Sequence, residues 1–413
     1  MRESLKQLFQ QEFGKMVAVI SKLYGLENIG TAEDIVSETF LQAAESWGVK
    51  GLPANPAGWL YTVAKHKALY YFRRNAVFQK KVVPELRARS DPASHTEEMD
   101  FSHEHIRDSQ LQMLFAVCDP AIASEAQIGL ALRVLCGFGI DEIAEAFLTN
   151  KETINKRLFR AKEKLRTANI KMEMPEPEAV PGRLENVLRT IYLLFNEGYY
   201  SRSQDQILRK ELCAEAMRLG LSLTEYPVTD RPQTNALVAL MCFHASRFDA
   251  RTGTPGDVAL VLYDNQDESK WDQAMIGRGM HYLGLSAHGE HLTSYHLEAR
   301  IAAWHCTKED TREKWEDILR LYDRLLEVNY SPSAALNRVY ALYKVSGKRV
   351  ALEAAEKLRW ENNHFYFLLL GDLYTGVDTA KALSNLQAAY DLAKTTAERQ
   401  GIGEKIAALA NNI

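Results

Sequence analysis

The segment from Asp141 to Arg166, DEIAEAFLTNKETINKRLFRAKEKLR, constrains this chain more than any other. Ile143, Ala144 and Phe147 make a short apolar face at helical spacing, and Leu148-Thr149-Asn150 interrupts it. A second helical pattern follows, with Ile154, Leu158 and Leu165 on one side and Lys151, Lys156, Arg157, Arg160, Lys162, Lys164 and Arg166 elsewhere. Thr149 or Asn150 is placed to cap it, because a short polar side chain there accepts from backbone N–H groups that the first turn leaves free. A short helix, a tight turn and a cationic helix form the pattern of a helix-turn-helix, whose second helix enters the DNA major groove. An ordinary helical hairpin with a solvated basic face fits the same residues.

The formal net charge is only −4 over 413 residues, so any nucleic-acid surface has to be local. The charge is indeed segmented. Gly51 to Lys81 holds six basic residues (Lys65, Lys67, Arg73, Arg74, Lys80, Lys81) and no acid. Glu85 to Asp108 holds seven acids against three arginines, and Lys151 to Lys171 returns to eight basic residues against two acids. Two cationic modules joined by an acidic stretch follow from this, although charge runs are commonly solvated faces.

Periodicity predicts helices nearly throughout. Phe9, Phe13, Val17, Ile20, Leu23 and Tyr24 recur at helical spacing until Gly25, and Thr31 is the expected cap of the next helix, AEDIVSETFLQAAESW. The loop VKGLPANP precedes GWLYTVAKHKALYYFRRN, in which Lys65, His66, Tyr70, Arg73 and Arg74 interleave cations with aromatics. Such a face suits single-stranded DNA, since cations track phosphate and aromatics receive unstacked bases. Trp59, Tyr61 and Tyr71 equally suit a core. Ser124 is expected to cap an apolar helix, AQIGLALRVLCGF, behind the hairpin.

The expected organisation is all-α, with two small helical modules and a larger helical domain. Residues 1–82 are the first module, 83–108 a linker, 109–170 the second module with the helix-turn-helix, 171–182 a Pro-rich linker (KMEMPEPEAVPG) and 183–413 the third part. Within the third part, VYALYKVSGKRVAL aligns loosely with LLGDLYTGVDTAKAL, pairing Tyr343 with Tyr374 and Leu352 with Leu383. That offset lies close to the roughly 34-residue tetratricopeptide period, so the domain is expected to be tetratricopeptide-like. Asp257 to Tyr263 reads as a short strand or helix.

Five widely spaced cysteines without a CxxC pair argue against a disulfide framework or a zinc knuckle and fit a reducing cytoplasm. The N-terminus does not read as a signal peptide, and no apolar run approaches bilayer length, so no membrane partner is expected. Catalytic motifs are poor. Asn196-Glu197-Gly198-Tyr199-Tyr200 resembles a helix end with its glycine, and His288-Gly289-Glu290-His291 lacks HExxH spacing. The chain is therefore expected to be no enzyme, with no metal and no cofactor.

Taken together, these residues resemble an extracytoplasmic-function sigma factor of bacterial RNA polymerase, in the subgroup with a long tetratricopeptide-like C-terminal extension. AEDIVSETFLQAAESW and NPAGWLYTVAKHKALYYFRR are similar to sigma region 2. EAQIGLALRVLCGFGIDEIAEAFLTNKETINKRLFRAKEKLR is similar to region 4. LRTIYLLFNEGYYS with LCAEAMRLG resembles the start of the extension. The resemblance implies that Asp34, Glu38 and Phe40 grip the polymerase core. It implies that Asn55, Trp59, Lys65, His66, Arg73 and Arg74 hold the minus-ten element around a flipped base. Lys151, Glu152, Thr153, Asn155 and Lys156 would lead the minus-thirty-five helix into the groove, with Arg157 and Arg160 at phosphate. The acidic linker would thread toward the polymerase cleft. The implied partners are RNA polymerase core, promoter DNA and a regulatory protein at the C-terminal domain. The competing expectation is a DNA-binding helix-turn-helix regulator with a helical sensor domain, which never touches the polymerase core.

Overall fold

The computed structural model describes residues 2–82, 99–147, 149–199, 210–251, 261, 263–289, 291–393 and 396–410. It is all-α, and the described residues contain no strand. Two compact units divide the chain, Met1–Leu194 and Phe195–Ile413.

The first unit is built on α1 (Arg2–Tyr24), whose Phe13, Met16, Val17 and Ile20 are completely buried. Each apolar side chain of that size contributes about 2 kcal/mol by leaving water. Gly25, at φ 88°, stops the helix as expected. A 3₁₀ turn, Leu26–Asn28, leads directly into α2 (Ile29–Lys50), so Thr31 lies inside the helix and not at its cap. Asn28 precedes α2 instead, its side-chain amide donating to Tyr24 O at 2.6 Å. α3 (Pro56–Val82) packs on α2.

The expected linker over 83–108 lies outside the described residues as far as 98. Beyond it Met99 is buried, and α4 (His103–Val117) starts six residues ahead of Ser109 with Ser102 as its cap. α5 (Ser124–Leu130) begins without a capping side chain, Ser124 being its first residue, and passes into a π turn over Ala131–Leu135. The spine expected to be one helix is thus broken where α1 crosses it. Gly14 of α1 lies so close that a Cβ there would stand 2.2 Å from Leu135 O. α6 (Ile140–Ala146) and α7 (Lys151–Thr167) form the hairpin.

α8 (Val180–Tyr199) starts within the Pro-rich stretch and runs across the unit boundary. Its first half belongs to the first unit: Arg183 pairs with Asp119 at 2.9 Å and donates to Phe115 O, and Thr190 donates to Gln127 at 3.0 Å. Gly198 lies inside α8 and does not end it.

The second unit continues with α9 (Lys210–Thr224) and α10 (Pro232–Ala245). Nearly every α10 side chain from Thr234 to Phe243 is buried, which identifies it as the central helix of this half. α11 (Phe248–Arg251), α12 (Gln273–Leu285) and α13 (Ser294–Trp304) follow, with α12 and α13 on α10. α14 (Arg312–Val328), α15 (Pro332–Glu356), α16 (His364–Tyr374), α17 (Thr379–Leu392) and α18 (Thr396–Ala410) then each pack on their chain neighbours. Tyr374 is in a core cluster against which Tyr343 packs. Most of Asp257–Tyr263 lies outside the described residues.

Candidate nucleic-acid interface

α3 is entered through Asn55, whose Oδ1 accepts from Gly58 N at 2.9 Å while Pro56 opens the first turn. Trp59 is half-buried edge-on against Trp47, with ring centroids 5.3 Å apart. Asn55 and Trp59 therefore shape the start of this helix. The solvent side presents His66, Tyr70, Arg73 and Arg74, which with Leu69 line a shallow surface hollow. Tyr70, 68% exposed, is the most open aromatic there. The helical pattern already places it one turn after His66. Lys65 is half-buried and acts on Asp100, whose carboxyl is held below its usual range first by Ser102 and then in part by Lys65.

On α2, Asp34 and Glu38 are exposed, and Glu38 receives Lys67 at 3.3 Å. Phe40 points inward against Phe9, with centroids 4.9 Å apart. The large apolar side chains that α2 leaves to solvent are Leu41 and Val49. Leu41 lies one turn beyond Glu38 and two beyond Asp34, so an apolar stud stands on an anionic ridge.

α7 is capped by Asn150, which accepts from Thr153 N at 2.8 Å. Ile154, Leu158, Ala161 and Leu165 are buried. Lys151, Glu152, Thr153, Asn155, Lys156 and Arg160 are exposed. Lys151 pairs with Asp141 at 2.6 Å, and Lys156 with Glu152 at 2.7 Å. Arg157 is half-buried, paired with Glu125 at 2.9 Å and stacked over Phe147. Phe159, 66% exposed, rises beside Asn155 and Arg160. An apolar group in that position can meet a thymine methyl. The apolar period of Ile154, Leu158 and Leu165 leaves Phe159 off the buried face of α7.

These elements are not separate bodies. Glu33 of α2, 3% exposed, receives Arg133 Nε at 2.7 Å and Lys162 of α7. Arg133 also donates to Phe138 O at 3.0 Å and lies over the Phe13 ring. α7 meets the turn Leu26–Asn28, Lys22 binds Gln112, and Tyr61 binds Glu12 while stacking on Phe101. Burial, then the Glu12 hydrogen bond, pushes the Tyr61 phenol up.

Residues 8–77 match the Sigma-70 region 2 family, and residues 183–287 match a family of unknown function, DUF6596. An uncharacterised protein of Rhizobium meliloti (strain 1021) is 32% identical over 352 residues, covering 84% of this chain and 82% of that one. The chain belongs to that protein's family. The RNA polymerase sigma factor YlaC of Bacillus subtilis is 22% identical over 165 residues, 40% of this chain and 91% of that one. No solved structure matches. The region 2 domain and the distant sigma-factor likeness support an RNA polymerase sigma factor acting in transcription initiation. Region 2 covers most of α1, all of α2 and most of α3, and so includes the anionic ridge and the His66–Arg74 face. Among the described residues no helix is long and apolar enough to cross a membrane, and no three His, Cys, Asp or Glu side chains converge as metal ligands.

Proposed function

We propose that this chain is a sigma factor of the extracytoplasmic-function class, with a tetratricopeptide-like C-terminal extension that modulates it. The observation that carries the proposal is the solvent face of the region 2 helix α3. His66, Tyr70, Arg73 and Arg74 stand there together, cations with an uncovered aromatic, and no acid stands among them. Phosphate attraction holds a strand on such a face, and stacking captures a base drawn out of the duplex. Asp34, Glu38 and Leu41 are the contact for RNA polymerase core, and α7 reads the minus-thirty-five element with Asn155, Lys156 and Phe159 toward base edges.

In this proposal the two DNA-facing elements separate on binding. Elements named for positions 10 and 35 lie about 25 base pairs apart, roughly 85 Å at 3.4 Å per pair. A compact unit of 194 residues has a radius of gyration of about 16 Å. Region 2 and α7 cannot span that distance while Glu33 holds Arg133 and Lys162. The closed unit is thus a resting form.

The test is reconstitution with RNA polymerase core. The full chain is expected to co-elute with core and to make thymines near a start site reactive to permanganate. Retention on DNA without core binding, and no opened start site, identifies a helix-turn-helix regulator instead.

A further inference from the structure

α12 carries one formal charge, Arg278, along Gln273–Leu285, yet Gly279 alone among its described residues is buried. Gly279 seats the helix on α10, where a Cβ would stand 2.6 Å from the Phe243 ring. A helix so poor in charge is ordinarily buried all round. Here Met280, 54% exposed, and Leu285 stay open to solvent, and Leu292, on the turn into α13, joins them. A cavity of about 550 Å³ lies at this turn. Met280, Leu283 and Leu292 give it apolar walls. Gly284 gives it room, since a Cβ built there meets nothing within 4 Å. Buried His296 also lines it, with Nδ1 accepting from Thr293 N at 3.2 Å. Burial pushes the His296 imidazole below its ordinary value, so this wall is neutral.

The other polar groups on the cavity include His288, His291 and Arg300, and no carboxylate lines it among the described residues. His288 and His291 are exposed and hydrogen-bond to nothing among the described residues. Arg300 donates to Asp317 at 3.3 Å, a carboxylate already held by Trp304 Nε1 at 2.7 Å and Arg320 at 2.9 Å. The rest of the Arg300 fork has no acceptor among the described residues. Apolar walls around a space of this size, with a few polar groups on one cavity, are the usual form of a small-molecule site. One permanent cation suits a single negative charge, and a carboxylate matches the guanidinium fork. We propose that this cavity binds an amphipathic carboxylate of the fatty-acid class. Its hydrocarbon lies along Met280, Leu283 and Leu292, and its carboxylate meets Arg300 with the imidazoles of His288 and His291. The site lies at the end of the DUF6596 match, residues 183–287, and takes its cation from α13 beyond it. It stands independently of promoter reading and gives the second unit a ligand of its own.

The experiment is calorimetric titration of the full chain with sodium octanoate, sodium decanoate and 1-octanol at fixed ionic strength, below micelle formation. Octanoate is expected to bind saturably, and decanoate about tenfold more tightly, because two further methylenes leave water. Octanol is expected to bind about tenfold more weakly than octanoate, because it brings no charge to Arg300. Gly284→Leu fills the cavity from a helical position and is expected to abolish binding. The Tm of that variant without ligand is expected to equal or exceed the parent's, leucine being the better helix former. Arg300→Gln is expected to weaken octanoate about tenfold and to leave octanol unchanged. No saturation with either acid, octanol as tight as octanoate, binding retained in Gly284→Leu, or a lowered Tm in that variant each overturns the assignment.

Discussion

The two units bury charge in opposite ways. In the first, a buried acid, Glu33, is answered by Arg133 and Lys162 from the neighbouring module. In the second it is a pair of bases, Arg247 and Lys314, whose one nearby acid is already committed. A buried charge answered within the chain is a joint. The two bases are met instead by the Tyr263 ring, and Lys314 also by Thr307 O. In our proposal the joint of the first unit is the contact that is released on binding.

Acid provides the largest test of that contrast. His305 is held near 3 and His244 well below its ordinary value, both chiefly by burial. A base with a lowered folded pKa binds more protons when unfolded, so stability is complete above the unfolded value of about 6.5 and is lost as pH falls toward 3. The tryptophan-monitored transition of the second unit should lose about 3–5 kcal/mol across that window, and His305→Gln should flatten the dependence. An unchanged slope in that variant would remove His305 from the explanation.

Breaking the joint comes next. Glu33→Ala leaves Arg133 and Lys162 facing each other without their acid, and should cost about 2–4 kcal/mol in urea unfolding of the first unit. The same variant should open the unit, so fluorophores at positions 66 and 160 should show lower energy transfer before DNA is added. Unaltered transfer would mean that Glu33 is not what holds the modules.

Smaller effects resolve the DNA-facing elements. Tyr70→Ala should reduce start-site opening about tenfold, on the basis of about 1–3 kcal/mol per stacked base, and leave the salt dependence of duplex binding unchanged. Arg73→Ala should do the reverse, lowering the salt slope by about one. Smallest of all, Asn150→Ala should cost about 1 kcal/mol through the lost cap of α7, measured by thermal unfolding.

Arg183, Asn186 and Thr190 of α8 bind Phe115 O, Cys118 O and Gln127 in the first unit. A chain ending before α8 would lose these bonds from the helix-turn-helix module, whereas one ending after Leu194 keeps them.

Much of this was legible from local pattern. The period of apolar residues determined the all-α class, and Asn150 announced the start of α7 because its side chain acts only on its own next turn. The mixture of His66, Tyr70, Arg73 and Arg74 marked a face because four residues of one helix share it by geometry alone. Phe40 was different. Its spacing suits a partner face as well as a core face, and only Phe9, thirty-one positions earlier, decides that it turns inward.

Sequence by itself determined the helical period, the capped start of α7 and the placing of cations along the helices, since each depends on neighbours within about four residues. Tertiary structure alone decided that Glu33 meets Arg133 and Lys162, that a π turn interrupts the apolar spine beside Gly14, and that Arg247 lies sealed near Lys314. The physical reason is range. Burial and long-range pairing fix the energy of a charge, and both depend on chain segments that no local period encodes.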